Sequence, residues 1–289
     1  MSTIYLNGEF LPLTEAKVSV MDRGFLFGDG VYELIPIYSG RPFRLAEHLQ
    51  RLTASLAGIR IANPMTAEQW SSAILDLAAR TEAENGKDQS LYLQVTRGAD
   101  MSKRNHAFPK DVAPTVFMMA EALVTPPDEQ RQQGIATVSS ADIRWQRCDL
   151  KAISLLANCL LRQQAVEAGC AETILFRDGF LSEGAASSIF VVKNGMLLAP
   201  PKSHLMLPGI TYDVVLELAA AHGLPHEVRD ILEEEVRSAD ELWLTSSTKE
   251  VLPIVSLDGK PVGSGRPGPL AATMYAWYQD FKAHVMRGG

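Results

Sequence analysis

Two hydrophobic periods alternate along the chain. Apolar runs around Asn7-Gly8 predict a first hairpin, since Asn-Gly is the strongest short hairpin signal. A glycine-rich stretch, Met21 to Gly30, leads into a predicted strand over 31–38 that ends at Ser39-Gly40. The period then changes. Leu45, His48, Leu49, Leu52 and Leu56 share one helical face, with Arg51 on an adjacent face and Gly58 near the end. Thr66 starts a second helix as N-cap, Gln69 completes a capping box, and Trp70, Ile74, Leu77 and Ala78 form its apolar stripe. Strands are predicted again over 90–98 and 114–120, on either side of a polar loop from Ala99 to Phe108.

The segment 122–134 is polar and stiffened by Pro126-Pro127, which predicts a linker between an N-terminal α+β domain over 1–121 and a C-terminal α+β domain over 135–289. The second part should open with a strand at Ile135 and continue through Lys151. A helix is expected from about Leu155 to Ala168, burying Leu155, Leu156, Cys159, Leu160 and Val166 and stopped by Gly169. Hairpins follow on Asp178-Gly179 and Asn194-Gly195. A helix through Val214, Val215 and Leu218 comes next, then a strand from Glu241, a hairpin on Asp258-Gly259 and a closing amphipathic helix.

Composition narrows the class. At 289 residues, 46% hydrophobic and 21% charged, the chain reads as an ordinary globule, with two domains preferred to one. A net charge of −7 argues against a nucleic-acid or anionic-membrane surface. No apolar run approaches the ~20 residues of a membrane span, and the first residues carry no signal-peptide pattern. Cys148, Cys159 and Cys170 lack metal-site or paired spacing, which fits reduced thiols. A cytoplasmic protein without a metal site is expected.

Candidate chemistry is diffuse at first. Nucleotide-binding, serine-hydrolase and zinc-protease motifs are missing. Gly209-Ile210-Thr211 reads either as a plain helix cap at Thr211 or as an anion site with free N–H groups. Ser246-Ser247-Thr248 is a hydroxyl-rich turn or a second anion contact, and Arg51 could add a bidentate charge. Lys151, in Leu150-Lys-Ala-Ile, is a solvated helix-start lysine or an amine held in apolar surroundings, where it becomes a nucleophile for a carbonyl. Glu183 is an ordinary turn carboxylate or a ligand acceptor. Arg104 and His106 either lie in a solvated loop or clamp a carboxylate, and Tyr32 either packs in the core or donates to a ligand.

Taken colinearly, these segments resemble a family. Asp22 to Glu33, His48-Leu-Gln-Arg-Leu52, Gln94-Val-Thr-Arg-Gly98, Arg104-Asn-His106, Asp142 to Lys151, Glu183-Gly184, Leu207-Pro-Gly-Ile-Thr211 and Leu244-Thr-Ser-Ser-Thr248 are similar to class IV (fold type IV) pyridoxal-phosphate aminotransferases. The Arg-x-His loop and Arg-Cys-Asp-Leu-Lys151 resemble the bacterial D-amino-acid branch. The resemblance implies a two-domain α+β fold with pyridoxal 5'-phosphate between the domains. It makes Lys151 the Schiff-base lysine and proton carrier, and Glu183 the acceptor of the ring N–H. Arg51, the backbone of Ile210 and Thr211, Ser246 and Ser247 would hold the phosphate, and Leu207 would lie against the ring. Tyr32, Arg104 and His106 would bind the substrate carboxylate, the Arg/His loop crossing from the partner of a homodimer.

The implied activity is ping-pong exchange of amino groups between D-amino acids, such as D-alanine and D-glutamate, and 2-oxo acids. Branched-chain L-amino-acid transamination, 4-amino-4-deoxychorismate lyase activity and non-catalytic binding are the rivals. The chain departs from the branch at Ala185-Ala186, where serines are usual, and differs from its best-known members at Ile189 and Pro208.

Overall fold

A computed structural model describes residues 2–288. The chain divides into two compact units: Met1–Val124 with Leu150–Leu155, and Thr125–Asp149 with Leu156–Gly289.

The first unit is built on six antiparallel strands, β1 (Thr3–Leu6), β2 (Glu9–Pro12), β3 (Gly30–Tyr38), β4 (Arg41–Pro42), β5 (Gln89–Thr96) and β6 (Thr115–Ala122), in the order β2-β1-β6-β5-β3-β4. Strands β3 and β5 pair from Gly30↔Thr96 to Ile37↔Gln89. That register turns Leu91, Leu93 and Val95 to one face, where α2 (Leu45–Gly58) and α3 (Ala67–Asn85) bring Leu52, Leu56, Trp70, Ile74 and Leu77. The Thr66–Gln69 capping box forms as its spacing predicts. Helix α1 (Arg23–Phe27) lies inside the glycine-rich stretch, started by Asp22 accepting the Gly24 N–H at 2.7 Å. Five residues are too few to carry a readable period.

Lys151, expected in the C-terminal part, belongs to this first unit. Its carbonyl accepts the Tyr32 N–H at 2.9 Å and its own N–H donates to Ser55 Oγ at 3.1 Å. Ile153 N–H reaches Gly30 O at 3.0 Å, so residues 150–155 lie along β3. Backbone hydrogen bonding, which chain order does not reveal, makes that assignment.

The second unit carries a nine-stranded mixed sheet. Its strands are β7 (Ile135–Ala141), β8 (Glu172–Arg177), β9 (Phe180–Gly184), β10 (Ser188–Lys193), β11 (Met196–Ala199), β12 (His226–Val228), β13 (Glu241–Ser246), β14 (Glu250–Leu257) and β15 (Lys260–Pro261). The order is β12-β11-β10-β13-β14-β7-β8-β9, with β15 on β14. Helices α4 (Asp128–Gln133), α5 (Leu156–Glu167), α6 (Ile210–Ala221), α7 (Glu233–Arg237) and α8 (Pro269–Phe281) surround it. No helix among the described residues is long and apolar enough to cross a membrane.

Three expectations change here. The segment expected as a linker holds α4, tied down by Arg131 to Glu250 at 2.9 Å. Helix α5 buries Leu161 and Ala165, whereas Leu156, Cys159, Leu160 and Val166 are exposed. Its sequence offers two apolar stripes, and β8 takes the one where small Ala165 permits close approach and Thr173 Oγ1 donates to Leu161 O at 2.6 Å. Thr211 is not a cap. Gly209 is the N-cap of α6, and Thr211 is buried in its first turn.

Candidate active site

In the first unit, strand β3 alternates its side chains so that Tyr32 and Glu33 face opposite ways. The Lys151 Nζ lies 4.2 Å from the centre of the Tyr32 ring, which stacks on Tyr92 from β5 at 5.7 Å. No carboxylate among the described residues pairs with this amine.

Glu33 is fully buried. One turn of α2 presents His48 and Arg51 to it, three residues apart and therefore on one face. Arg51 Nε donates to Oε1 at 2.8 Å and Nη2 to Oε2 at 2.7 Å, while His48 Nδ1 stands 2.7 Å from Oε2. Burial alone would raise the Glu33 carboxyl, but the Arg51 guanidinium and then His48 outweigh it and hold it down to about 2. Burial also lowers His48, against the opposing pull of Glu33. Its Nε2 is buried and meets no hydrogen-bond partner among the described residues. Sequence reading passed over Glu33, although a lone acid within the apolar run 31–38, ahead of a helix bearing His48 and Arg51, was the available signal.

Arg104 and His106 occupy the exposed loop, where both lie against Phe27: the Arg104 guanidinium is 4.6 Å and the His106 ring 5.2 Å from its centre.

In the second unit, Glu183 sits buried on β9 and is paired with Arg144 Nη1. Arg144 is aimed by Asp142, which accepts from Nε at 2.9 Å and from Nη2 at 2.8 Å; Arg177 and Ser182 also reach Asp142, both at 3.1 Å. The Leu207 N–H donates to both Glu183 oxygens at 3.3 Å. Burial raises the Glu183 carboxyl above its ordinary value, with Arg144 and the Leu207 N–H pulling it back part of the way. Arg144 and the Leu207 N–H hold the Glu183 side chain in place. Arg144 was not picked out from sequence, because its tie to Glu183 spans 39 positions.

Helix α6 begins at Gly209 with no side-chain cap, so its first N–H groups point outward at the positive end of the helix dipole. A Cβ on Gly209 would come 3.1 Å from Ser188 Oγ. Ser246 Oγ accepts the Lys249 N–H at 3.1 Å and shapes the turn between β13 and β14. Lys249 reaches Glu172 at 3.1 Å, and Ser187 Oγ donates to the same Glu172 oxygen at 2.9 Å. Thus the structure joins Lys151 with Tyr32 and Glu183 with Leu207. It ties Arg51 to Glu33, and it sets Arg104 and His106 on Phe27.

The family model for amino-transferase class IV matches residues 30–257. A D-alanine aminotransferase of Bacillus licheniformis is 38% identical over 277 residues, covering 96% of each chain. That of Staphylococcus haemolyticus is 34% identical over 282 residues, 97% of this chain and 98% of its own. Among solved structures, a branched-chain amino acid aminotransferase from T.th., complexed with N-(5'-phosphopyridoxyl)-L-glutamate, aligns with a TM-score of 0.89 at 26% identity, over 99% of this chain and 94% of that one. The Escherichia coli branched-chain amino acid aminotransferase aligns at 0.84 and 27%, over 99% and 95%.

Proposed function

The chain belongs to the class IV aminotransferases, and from that membership we propose that it transfers amino groups between D-amino acids, D-alanine and D-glutamate among them, and 2-oxo acids, using pyridoxal 5'-phosphate in a cytoplasmic homodimer. Relatives named D-alanine aminotransferases are 34% and 38% identical over nearly their full length, whereas the branched-chain structures reach 26% and 27%. The observation that carries the reading is Lys151, whose backbone is bonded along β3 while its amine rests on an aromatic face, with no carboxylate among the described residues to hold it.

The donor set suits the cofactor. Its ring nitrogen needs an acceptor, which buried Glu183 supplies, and its phosphate needs donors, which the uncapped N-terminus of α6 supplies. When bound, pyridoxal phosphate offers an aldehyde to an amine and a protonated ring that draws electrons from the substrate α-carbon. Lys151 would carry the proton between that carbon and the cofactor C4′ atom. Glu183, kept in place by Arg144 and the Leu207 N–H, would accept from the ring N–H and favour its protonated form. Arg51, the Ile210 and Thr211 N–H groups, Ser246 and Ser247 would bind phosphate, and the Leu207 side chain would give the ring apolar cover. Tyr32, with Arg104 and His106 of the partner subunit, would grip the substrate carboxylate. Gripping it on one side decides which α-hydrogen faces Lys151, and so selects the D-isomer.

A second reading, branched-chain L-amino-acid transamination, draws on the high structural likeness to those enzymes. Titrating the yellow holoenzyme with D-alanine should bleach its visible band, and L-alanine should do so far less. Preferential bleaching by L-alanine or L-leucine would overturn the D-amino-acid assignment. Release of pyruvate from aminodeoxychorismate with no amino acceptor present would point to the lyase instead. Lys151→Ala should lose both the visible band and turnover; retention of parental turnover refutes the role given to this lysine.

A further inference from the structure

The Arg104/His106 loop is exposed and polar, yet it is fastened from beneath at several points. Arg23, from α1, is 5% exposed. Its Nη1 donates to the carbonyls of Asn105 and, at 3.4 Å, Ala107, and its Nη2 to that of His106 at 3.1 Å. One guanidinium therefore holds three successive carbonyls. Its Nε is anchored on Asp29 at 2.7 Å. The same Asp29 takes Arg97 through Nε at 2.8 Å and Nη2 at 2.9 Å, and the Arg97 guanidinium lies 3.6 Å from the centre of the Phe108 ring at the loop's far end.

The side chains converge as well. Phe27 receives the guanidinium of Arg23 at 4.8 Å, that of Arg104 at 4.6 Å and the ring of His106 at 5.2 Å. Phe27 is itself placed by α1, between the Asp22 cap and Gly28, whose φ of 65° ends the helix.

We propose that Phe27, with Arg23 behind it, is a positioning residue for substrate recognition: the ring presets Arg104 and His106, and Arg23 presets the backbone that carries them. This deepens the function proposed above and rests on the assignment of Arg104 and His106 to the substrate carboxylate. Ordering two long side chains before the substrate arrives removes part of the entropic cost of binding. The contribution falls on recognition of the carboxylate and leaves the proton transfer alone.

The test uses the holoenzyme and two readouts, steady-state kinetics with D-alanine and competitive inhibition by propionate, which has the carboxylate and no amine. Phe27→Leu should raise KM for D-alanine and Ki for propionate together, by about three- to thirtyfold. It should leave kcat within about twofold and the cofactor's visible band unchanged. Arg23→Lys keeps the charge but cannot span three carbonyls, so it should act in the same direction. Phe27→Trp, which keeps an aromatic face, should restore most of the affinity. In Arg104→Ala, adding Phe27→Leu should cost less than it does alone, because the two act on one contact.

Parental Ki in both Phe27→Leu and Arg23→Lys, alongside a raised Ki in Arg104→Ala, overturns this inference and spares the function. Parental Ki in Arg104→Ala and His106→Ala removes the carboxylate assignment itself. A fall in kcat and loss of the visible band in every Phe27 and Arg23 variant would show that they merely hold the fold.

Discussion

Glu33 shows how much a single buried charge depends on its company. A carboxylate removed from water is costly unless its oxygens are filled, and here Arg51 and His48 fill them. Its folded pKa of about 2 lies below the ordinary 4.5. The stabilisation is therefore complete above about pH 4.5 and disappears as pH falls toward 2. The gap is worth about 3 kcal/mol. Glu33→Gln should flatten the loss of stability across that window, read as the difference between acid-unfolding curves of parent and variant by circular dichroism. Coincident curves would show that Glu33 titrates normally. Cys148 illustrates the opposite case: burial raises its thiol to about 11, so it remains a neutral, unreactive group near pH 7.

Among the elements, the ends of helices separate local from remote control. Thr66 and Gln69 cap α3 from three residues apart, and their spacing announces it. Helix α8 is capped from elsewhere. Gly268 supplies no side chain, and Glu241 on β13 accepts from Leu270 N–H at 3.0 Å and Ala271 N–H at 2.8 Å while also binding Trp243 Nε1. A Cβ at position 268 would lie 2.0 Å from the Glu241 carboxyl carbon, which explains the glycine. Glu241→Ala should cost about 1–2 kcal/mol, measured by urea unfolding; an unchanged midpoint would rule out this remote cap. The exposed stripe of α5 teaches a related lesson. Helical period shows that Leu156 to Glu167 is a helix, but two stripes compete, and only the neighbouring strand decides which is buried.

On the scale of the molecule, the two units interleave in sequence, since Leu150–Leu155 belongs with the first and its flanks with the second. If the Arg104/His106 loop serves a partner's site, the active species is a homodimer. Light scattering after size exclusion should then give twice the chain mass, and subunits of Lys151→Ala mixed with subunits of an Arg104/His106 double variant should regain part of the activity each lacks. A monomer with full turnover would refute the shared site.

Most helices, strands and hairpins were legible because their causes lie within a few residues: a period of two or near four, an Asn-Gly or Asp-Gly turn, a cap and its acceptor. The linear order of Lys151, Glu183 and Arg104-Asn-His106 was enough to suggest the chemistry. The pairings that hold Arg51 and Glu183 were not legible, because Arg51 meets Glu33 across 18 positions and Arg144 meets Glu183 across 39. Such pairs exist only once sheet register and helix packing bring distant side chains to one place, and tertiary structure alone makes that choice.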